Sequence, residues 1–152
     1  MADGARSLAC LSQPEMGLGM GGLQGKTVLL VEDEPLVAML VEDMLATLNV
    51  KIIGPAARLD EAIALAQRET FDVAVLDVKL GGQTSGSVAS VLQGRNIPYI
   101  LATGFDTPSL PDFDADAPVL NKPYVQEDLE RALLQALENS PVSHALRRRP
   151  AP

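Results

Sequence analysis

Carboxylates and a lysine stand directly after apolar runs at three places along this chain. Asp77 closes the apolar run 71–76. Glu32 and Asp33 follow an earlier run, and Lys122 comes shortly after a later one. Because charged groups are costly to bury without partners, each should lie at the end of its strand rather than inside the fold. If the three runs are parallel neighbouring strands, these groups converge on one edge of a sheet.

The converging side chains are of the types that bind a hard metal ion and a phosphate. Carboxylate oxygens without His or Cys nearby suit Mg²⁺, and close carboxylates repel unless a cation neutralises them. Lys122 adds a point charge that matches phosphate oxygens, and Thr103 adds a hydroxyl after another apolar run. A single acidic residue after a strand is more often part of a solvated loop. The combination at several strand ends instead predicts phosphoryl transfer to a carboxylate nucleophile.

Short apolar runs alternate with helical patterns over the middle of the chain, which predicts a parallel sheet covered by helices on both faces. The fold class that we expect is α/β, a flavodoxin-like doubly wound five-stranded sheet with strand order 2-1-3-4-5. Ligands bind such sheets at the carboxyl ends of the strands, where the order reverses, so Glu32, Asp33 and Asp77 should lie together. The predicted strands are 27–31, 50–54, 72–76, 97–102 and 119–120, and the predicted helices are 35–48, 59–68, 85–93 and 125–137.

Three helices carry more detailed expectations. The segment 105–118 holds three prolines and four aspartates, so helix four should be short or irregular. Helix three should be capped by Thr84 or Ser85. The apolar residues of helix one recur at the spacing of one helix face: Leu36, Met39, Leu40, Met44 and Leu48.

The length of 152 residues fits one domain with extended ends. We expect a disordered N-terminal tail over residues 1–25, the folded domain over 26–138, and a disordered basic C-terminal tail over 139–152. No apolar run is long enough to span a membrane. The single cysteine, Cys10, can form no internal disulfide, which indicates a reducing, cytoplasmic location.

The net charge of −8 is unevenly distributed. The first 25 residues carry −1 and residues 139–152 carry +3, so the segment between them carries −10. An acidic domain is a poor nucleic-acid binder because phosphate contacts dominate that affinity, and we expect no nucleic-acid partner. The three arginines at 147–149 are typical of a solvated tail.

Four short motifs together identify a family resemblance. They are Val-Glu-Asp-Glu at 31–34, Leu-Asp-Val-Lys-Leu at 76–80, Ala-Thr-Gly at 102–104 and Asn-Lys-Pro at 121–123. With these motifs, residues 26–138 resemble the CheY-like receiver domain of two-component response regulators. The stretch 97–105 further resembles a subgroup of stand-alone receivers with a Phe-Ala-Thr-Gly-Tyr-like signature, the FATGUY subgroup.

The resemblance implies a role for each residue of the acidic cluster. Asp77 would be the phosphoacceptor, and Glu32 with Asp33 would be the acidic pair. The carboxylates, together with the backbone carbonyl of Lys79, would hold Mg²⁺ as the cofactor. Lys122 would bind the phosphoryl group.

Receivers usually pair a switch hydroxyl with an aromatic residue, and this chain departs from that family pattern. Thr103 would be the switch hydroxyl, but Val119 stands where receivers usually have an aromatic residue. We therefore assign the aromatic role to Phe105 as a hypothesis. Lys79 and Phe105 would also shield the acyl phosphate from water, and the alternative is that Lys79 pairs with a nearby glutamate.

The function implied is a single-domain response regulator that accepts a phosphoryl group on Asp77 from a histidine kinase or a histidine phosphotransfer protein. It would act through a downstream protein contact or as a phosphate sink, as a monomer or weak homodimer. The alternative is a phosphorylation-independent adaptor with the same fold. An aspartyl-phosphate phosphatase would need a second Asp two residues after the nucleophile, where this chain has Lys79, so we expect no substrate turnover.

Overall fold

The computed structural model describes residues 22–104 and 112–140. Five strands form one parallel sheet with the order β2-β1-β3-β4-β5. The order confirms the predicted flavodoxin-like topology, in which β1 and β3 are neighbours. The strands are β1 Thr27–Val31, β2 Lys51–Ala56, β3 Val73–Asp77, β4 Tyr99–Thr103 and β5 Val119–Asn121.

Four helices in the described residues cover the two faces of the sheet, and each begins within one residue of its predicted start. Alternate residues of β1 enter different cores, as the two-residue period of a strand requires. Leu29 packs into the core under α2 and α3, whereas Leu30 packs into the core under α1 and α4. The helices are α1 Pro35–Thr47, α2 Leu59–Arg68, α3 Gly86–Gly94 and α4 Gln126–Glu138.

Helix α1 corrects one detail of the sequence interpretation. Its buried face consists of Ala38, Val41 and Leu45. The larger residues that the helical spacing singled out at the start of α1 are exposed. The prediction failed because nearly every position of this helix is apolar, so spacing alone cannot select the buried face. These exposed residues are Leu36 at 76%, Met39 at 59% and Leu40 at 60% exposure.

A short hairpin, which the sequence analysis did not predict, connects β3 to α3. Lys79 and Leu80 pair in antiparallel fashion with Thr84 and Gln83. The tip is made by Gly81 and Gly82, whose φ angles of 58° and 83° lie in the left-handed region that favours glycine. We refer to residues 79–84 as the β3–α3 hairpin.

The segment before β5 contains turns and no helix over its described residues 112–118. Its anchor is the Tyr99 hydroxyl, which accepts hydrogen bonds from the Asp114 amide and from the Gln93 side chain, both at 2.7 Å. This agrees with the expectation of a short or irregular helix four, and residues 105–111 lie outside the described residues.

The packed part of the chain extends slightly beyond the predicted domain at both ends. Leu23, which the sequence analysis assigned to the N-terminal tail, is fully buried, and so is most of Ser140. Residues 1–21 and 141–152 lie outside the described residues. Among the described helices, none has both the length and the hydropathy needed to cross a bilayer.

Strand β2 forms one edge of the sheet and is interrupted. The pairing of β1 with β2 shifts between Leu29 and Val31, opposite Gly54 and Pro55. A Cβ atom on Gly54 would lie 2.7 Å from the Leu30 carbonyl oxygen, and its φ is 99°, so only glycine fits there. The other edge is β5, which is only three residues long.

Candidate functional site

The carboxyl ends of β1, β3 and β5 bring the predicted charged residues together. Asp77 is the last residue of β3, Glu32 follows β1 and Lys122 follows β5. The Lys122 Nζ lies 2.9 Å from Glu32 Oε1 and 3.2 Å from Asp77 Oδ2. One ammonium therefore bridges two carboxylates from different strands, although β5 is two strands away from β3.

The main chain holds these strand ends in place. The Lys122 amide donates to the Thr103 carbonyl at 2.8 Å, and the Val78 amide donates to the Ala102 carbonyl at 2.9 Å. Thr103, the predicted switch residue, is the last residue of β4 and is buried, with 4% exposure. The order of the strands thus places the hydroxyl-bearing residue between Asp77 and Lys122.

Three carboxylates could hold a metal ion at this edge. Glu32, Asp33 and Asp77 each offer an oxygen, and these oxygens lie within 4.8 Å of one another. Ligand atoms around one Mg²⁺ at its usual bond length are about 3 to 4 Å apart, so small side-chain adjustments complete the set. Oxygen donors alone are the set that Mg²⁺ prefers. The residues present therefore fit the ion that the sequence predicts.

The charge state of Asp77 reflects its crowded surroundings. Burial and the nearby negative charge of Glu32 raise the pKa of Asp77 to about 7, although Lys122 opposes the shift. A second cation at this edge would favour the ionised carboxylate and so return the pKa towards its ordinary value.

Burial acts on both Lys122 and Tyr124, and the pKa of each is raised for a different reason. Burial alone would lower the pKa of Lys122, but its hydrogen bond to Glu32 and the charge of Asp77 outweigh burial and raise it. Lys122 therefore stays protonated. Burial, with the charges of the same two carboxylates, raises the pKa of Tyr124, whose buried hydroxyl has no hydrogen-bond partner in the described part of the chain.

Two contacts reach the acidic cluster, one from the β3–α3 hairpin and one from Ser85, which follows it, and sequence reasoning did not find them. The Gly81 amide donates to Asp33 Oδ2 at 2.9 Å. The Ser85 hydroxyl donates to the backbone carbonyl of Asp77 at 2.6 Å. The Gly-Gly pair after Asp77 was the available signal for a tight turn at this position.

Ser85 also corrects the predicted helix cap. It occupies the cap position of α3, but its side chain makes no capping hydrogen bond to the helix. The hydroxyl instead bonds to the last residue of β3, Asp77, and Ser85 is fully buried. Thr84, the alternative cap, belongs to the hairpin.

The remaining predicted residues lie at the margin of the cluster. Lys79 begins the hairpin and is exposed, and the role of its backbone carbonyl as a metal ligand stays a prediction. Val119 is 46% exposed. Phe105 lies outside the described residues, and its assigned switch role stays a prediction.

The sequence matches a model of the response regulator receiver domain over residues 28–134. The chain belongs to this family. Among curated relatives, the transcriptional regulatory protein PdtaR of Mycobacterium tuberculosis is 31% identical over 112 residues, which is 71% of this chain and 55% of that protein. The phyllosphere-induced regulator PhyR of Methylorubrum extorquens is 28% identical over 127 residues, covering 81% of this chain and 48% of PhyR. The receiver thus spans about half the length of the curated relatives it matches.

Solved receiver structures are similar over most of the chain. SdrG from Sphingomonas melonis Fr1 is 38% identical, with a TM-score of 0.66 over 76% of this chain and 98% of SdrG. The receiver domain of the sensor histidine kinase PA1611 from Pseudomonas aeruginosa PAO1 is 25% identical, with a TM-score of 0.65 over 76% of this chain and 99% of that domain. That structure has a magnesium ion coordinated in its active site cleft. Membership of the subgroup with the Phe-Ala-Thr-Gly-Tyr-like signature stays a prediction for this receiver.

Proposed function

We propose that this receiver is a single-domain response regulator that accepts a phosphoryl group on Asp77 from a histidine kinase or a histidine phosphotransfer protein. The observation that carries the proposal is the buried Asp77 carboxylate with the Lys122 ammonium 3.2 Å from its Oδ2. Two further carboxylates complete an oxygen set suited to Mg²⁺. A buried nucleophile between a fixed cation and a metal site is the arrangement that phosphoryl transfer requires.

The chemistry assigned to the residues is a simple displacement. A carboxylate oxygen of Asp77 forms a bond to phosphorus while the phosphorus–nitrogen bond of the donor histidine breaks, and the electron pair stays on that nitrogen. Lys122 neutralises charge on the phosphoryl oxygens. Mg²⁺, held by Asp33, Asp77 and the Lys79 carbonyl with Glu32 beside it, would supply further charge neutralisation when bound.

The reaction should stop at the acyl phosphate apart from slow hydrolysis. The residue two positions after Asp77 is Lys79, so the chain lacks the second aspartic acid that aspartyl-phosphate phosphatases use there as the general acid. We therefore propose a phosphoacceptor without turnover of small substrates. Signalling would follow by contact with a downstream protein or by removal of phosphate from the kinase.

An exposed apolar patch supports a protein partner at this edge. Leu36, Met39 and Leu40 lie on the first turns of α1, which starts three residues after Glu32. Large apolar side chains that are clustered and exposed mark contact surfaces more often than isolated ones. A phosphodonor protein has to cover this edge of the sheet in order to reach Asp77.

Phosphorylation by a small donor tests the proposal directly. We expect the protein with Mg²⁺ and acetyl phosphate to gain one phosphoryl group by intact mass spectrometry, and Asp77→Asn to gain none. Asp43→Asn is the matched control, because Asp43 is an exposed residue of α1. Absence of phosphorylation in the wild-type protein would contradict the proposal and favour the adaptor.

A further inference from the structure

The hydrogen-bond partner of the Ser85 hydroxyl is unusual for a serine at a helix cap position. A serine at a helix cap position ordinarily accepts a hydrogen bond from an amide of the first turn. Here the hydroxyl is fully buried and donates instead to the Asp77 carbonyl at 2.6 Å. The Ser85 amide donates to the Val78 carbonyl at 2.9 Å, so both hydrogen-bond donors of Ser85 are directed at the main chain that carries Asp77.

The other end of the same hairpin reaches the second acidic residue. At its tip the Gly81 amide donates to Asp33 Oδ2 at 2.9 Å. The β3–α3 hairpin is therefore fixed at its base to Asp77 and at its tip to Asp33. Asp33 and Asp77 lie at the ends of different strands, and these contacts connect the main chain of Asp77 with the carboxylate of Asp33 outside the sheet.

We infer that Ser85 is a positioning residue for the metal site, acting through the hairpin. Its hydroxyl fixes the peptide that follows Asp77 and thereby sets where the Lys79 carbonyl and the Gly81 amide lie. The hairpin tip in turn orients the Asp33 carboxylate. The inference rests on the proposed function, because it assigns the Lys79 carbonyl and the Asp33 carboxylate, so oriented, to one Mg²⁺ site.

A positioning role predicts an effect on affinity rather than only on folding. Groups that orient metal ligands commonly change metal affinity by tenfold or more when they are removed. In Ser85→Ala, the Asp77 carbonyl loses its donor, and the hairpin that carries the Gly81 amide loses its anchor. We expect the Mg²⁺ dissociation constant of the folded protein to rise about tenfold. A purely structural serine would lower stability and leave that constant unchanged.

The test compares serine variants by calorimetric titration with Mg²⁺ alone. We expect Ser85→Ala to bind about tenfold more weakly than wild type, and Ser85→Thr, which keeps the hydroxyl, to bind more tightly than Ser85→Ala. Ser87→Ala is the matched control, since Ser87 is an exposed residue on α3 and should bind Mg²⁺ as the wild type does. Equal dissociation constants for wild type and Ser85→Ala would overturn the inference.

The wild-type protein offers a second readout that needs no variant. In amide NMR spectra, Mg²⁺ should shift the Gly81 resonance more than that of Gly82, because only the Gly81 amide is bonded to Asp33. Equal shifts at the two glycines would also overturn the inference. Failure of the wild type to take up a phosphoryl group would contradict the proposed function, whereas unchanged Mg²⁺ affinity in Ser85→Ala in a protein that is phosphorylated would contradict this inference alone.

Discussion

At the scale of single residues, the site is an electrostatic compromise. Glu32 is 3% exposed and Asp77 is 7% exposed, and the Lys122 ammonium lies between them. One cation cannot neutralise two buried carboxylates, and the pKa of Asp77 therefore rises to about 7 through burial and the charge of Glu32. Without a bound metal, the repulsion between these two carboxylates lowers the stability of the folded protein. A bound cation, or a phosphoryl group with its cation, would change this penalty.

The pH dependence of stability should expose this cost. The Asp77 pKa is about 7 in the folded protein and near the ordinary value of 3.8 when unfolded. Between these values the folded state binds more protons, so stability falls as pH rises from about 4 to about 7. Asp77→Asn lacks this titration. Its free energy of unfolding, relative to that of the wild type, should therefore rise by at least about 1 kcal/mol across that range. Urea unfolding in EDTA at several pH values measures it, and parallel profiles would contradict the expectation.

Removal of the bridging cation should be costly in a different way. Lys122→Met leaves Glu32 and Asp77 buried without their partner, and we expect a loss of about 2 to 4 kcal/mol in the free energy of unfolding at pH 8. Lys51→Met is the control, since Lys51 is exposed on β2 and should change stability by less than about 0.5 kcal/mol. Similar losses in the two variants would show that the bridge is not stabilising.

At the scale of elements, the sequence predicted the sheet order and the strand ends that carry Asp77 and Lys122. The prediction of the sheet succeeded because apolar runs mark the strands in the sequence. The right-handed crossover rule then leaves few possible strand orders. The sequence did not predict the hairpin or the partner of Ser85, because a serine before a helix has the same local signature whether it caps the helix or bonds elsewhere. It also could not select the buried face of α1, which has apolar residues on all sides.

Helix α3 has two glycines at which an alanine substitution should have opposite effects on stability, through tight packing at one and helix propensity at the other. A Cβ on Gly86 would lie 2.8 Å from the Asp112 Cβ, whereas a Cβ on Gly94 meets nothing within 4 Å. Gly86→Ala should therefore lower the free energy of unfolding by about 1 to 3 kcal/mol, since a backbone-linked atom has to move. Gly94→Ala should raise it by up to about 1 kcal/mol through helix propensity. Chemical denaturation of both variants measures this, and effects of the same sign would contradict the packing argument.

At the scale of the whole molecule, charge and metal binding are coupled. The segment 26–138 carries −10, and three of its carboxylates meet at one edge of the sheet. A cation that binds only the folded protein should stabilise all of it, because the ligands come from strand ends that separate on unfolding.

Thermal unfolding in Mg²⁺ tests this coupling. At a Mg²⁺ concentration about a hundredfold above its dissociation constant, we expect about 2.7 kcal/mol of added stability, or about 5 to 10 °C in Tm. NaCl at the same ionic strength should have a smaller effect, because screening does not bridge the carboxylates. Equal shifts in the two salts, or an undiminished Mg²⁺ shift in Asp33→Ala, would contradict a specific site.

The interrupted edge strand has a further consequence for how this receiver can be recognised. A partner that extends a sheet by adding its own strand needs an unbroken row of backbone donors and acceptors. At one edge, the backbone of β2 is irregular at Gly54 and Pro55, where its pairing with β1 shifts, and at the other edge β5 offers only three residues. We therefore expect strand addition to be unfavourable at either edge, both for a signalling partner and for a second copy in an aggregate. We expect recognition to use helix faces and loops, and concentrated solutions to resist β-rich assembly.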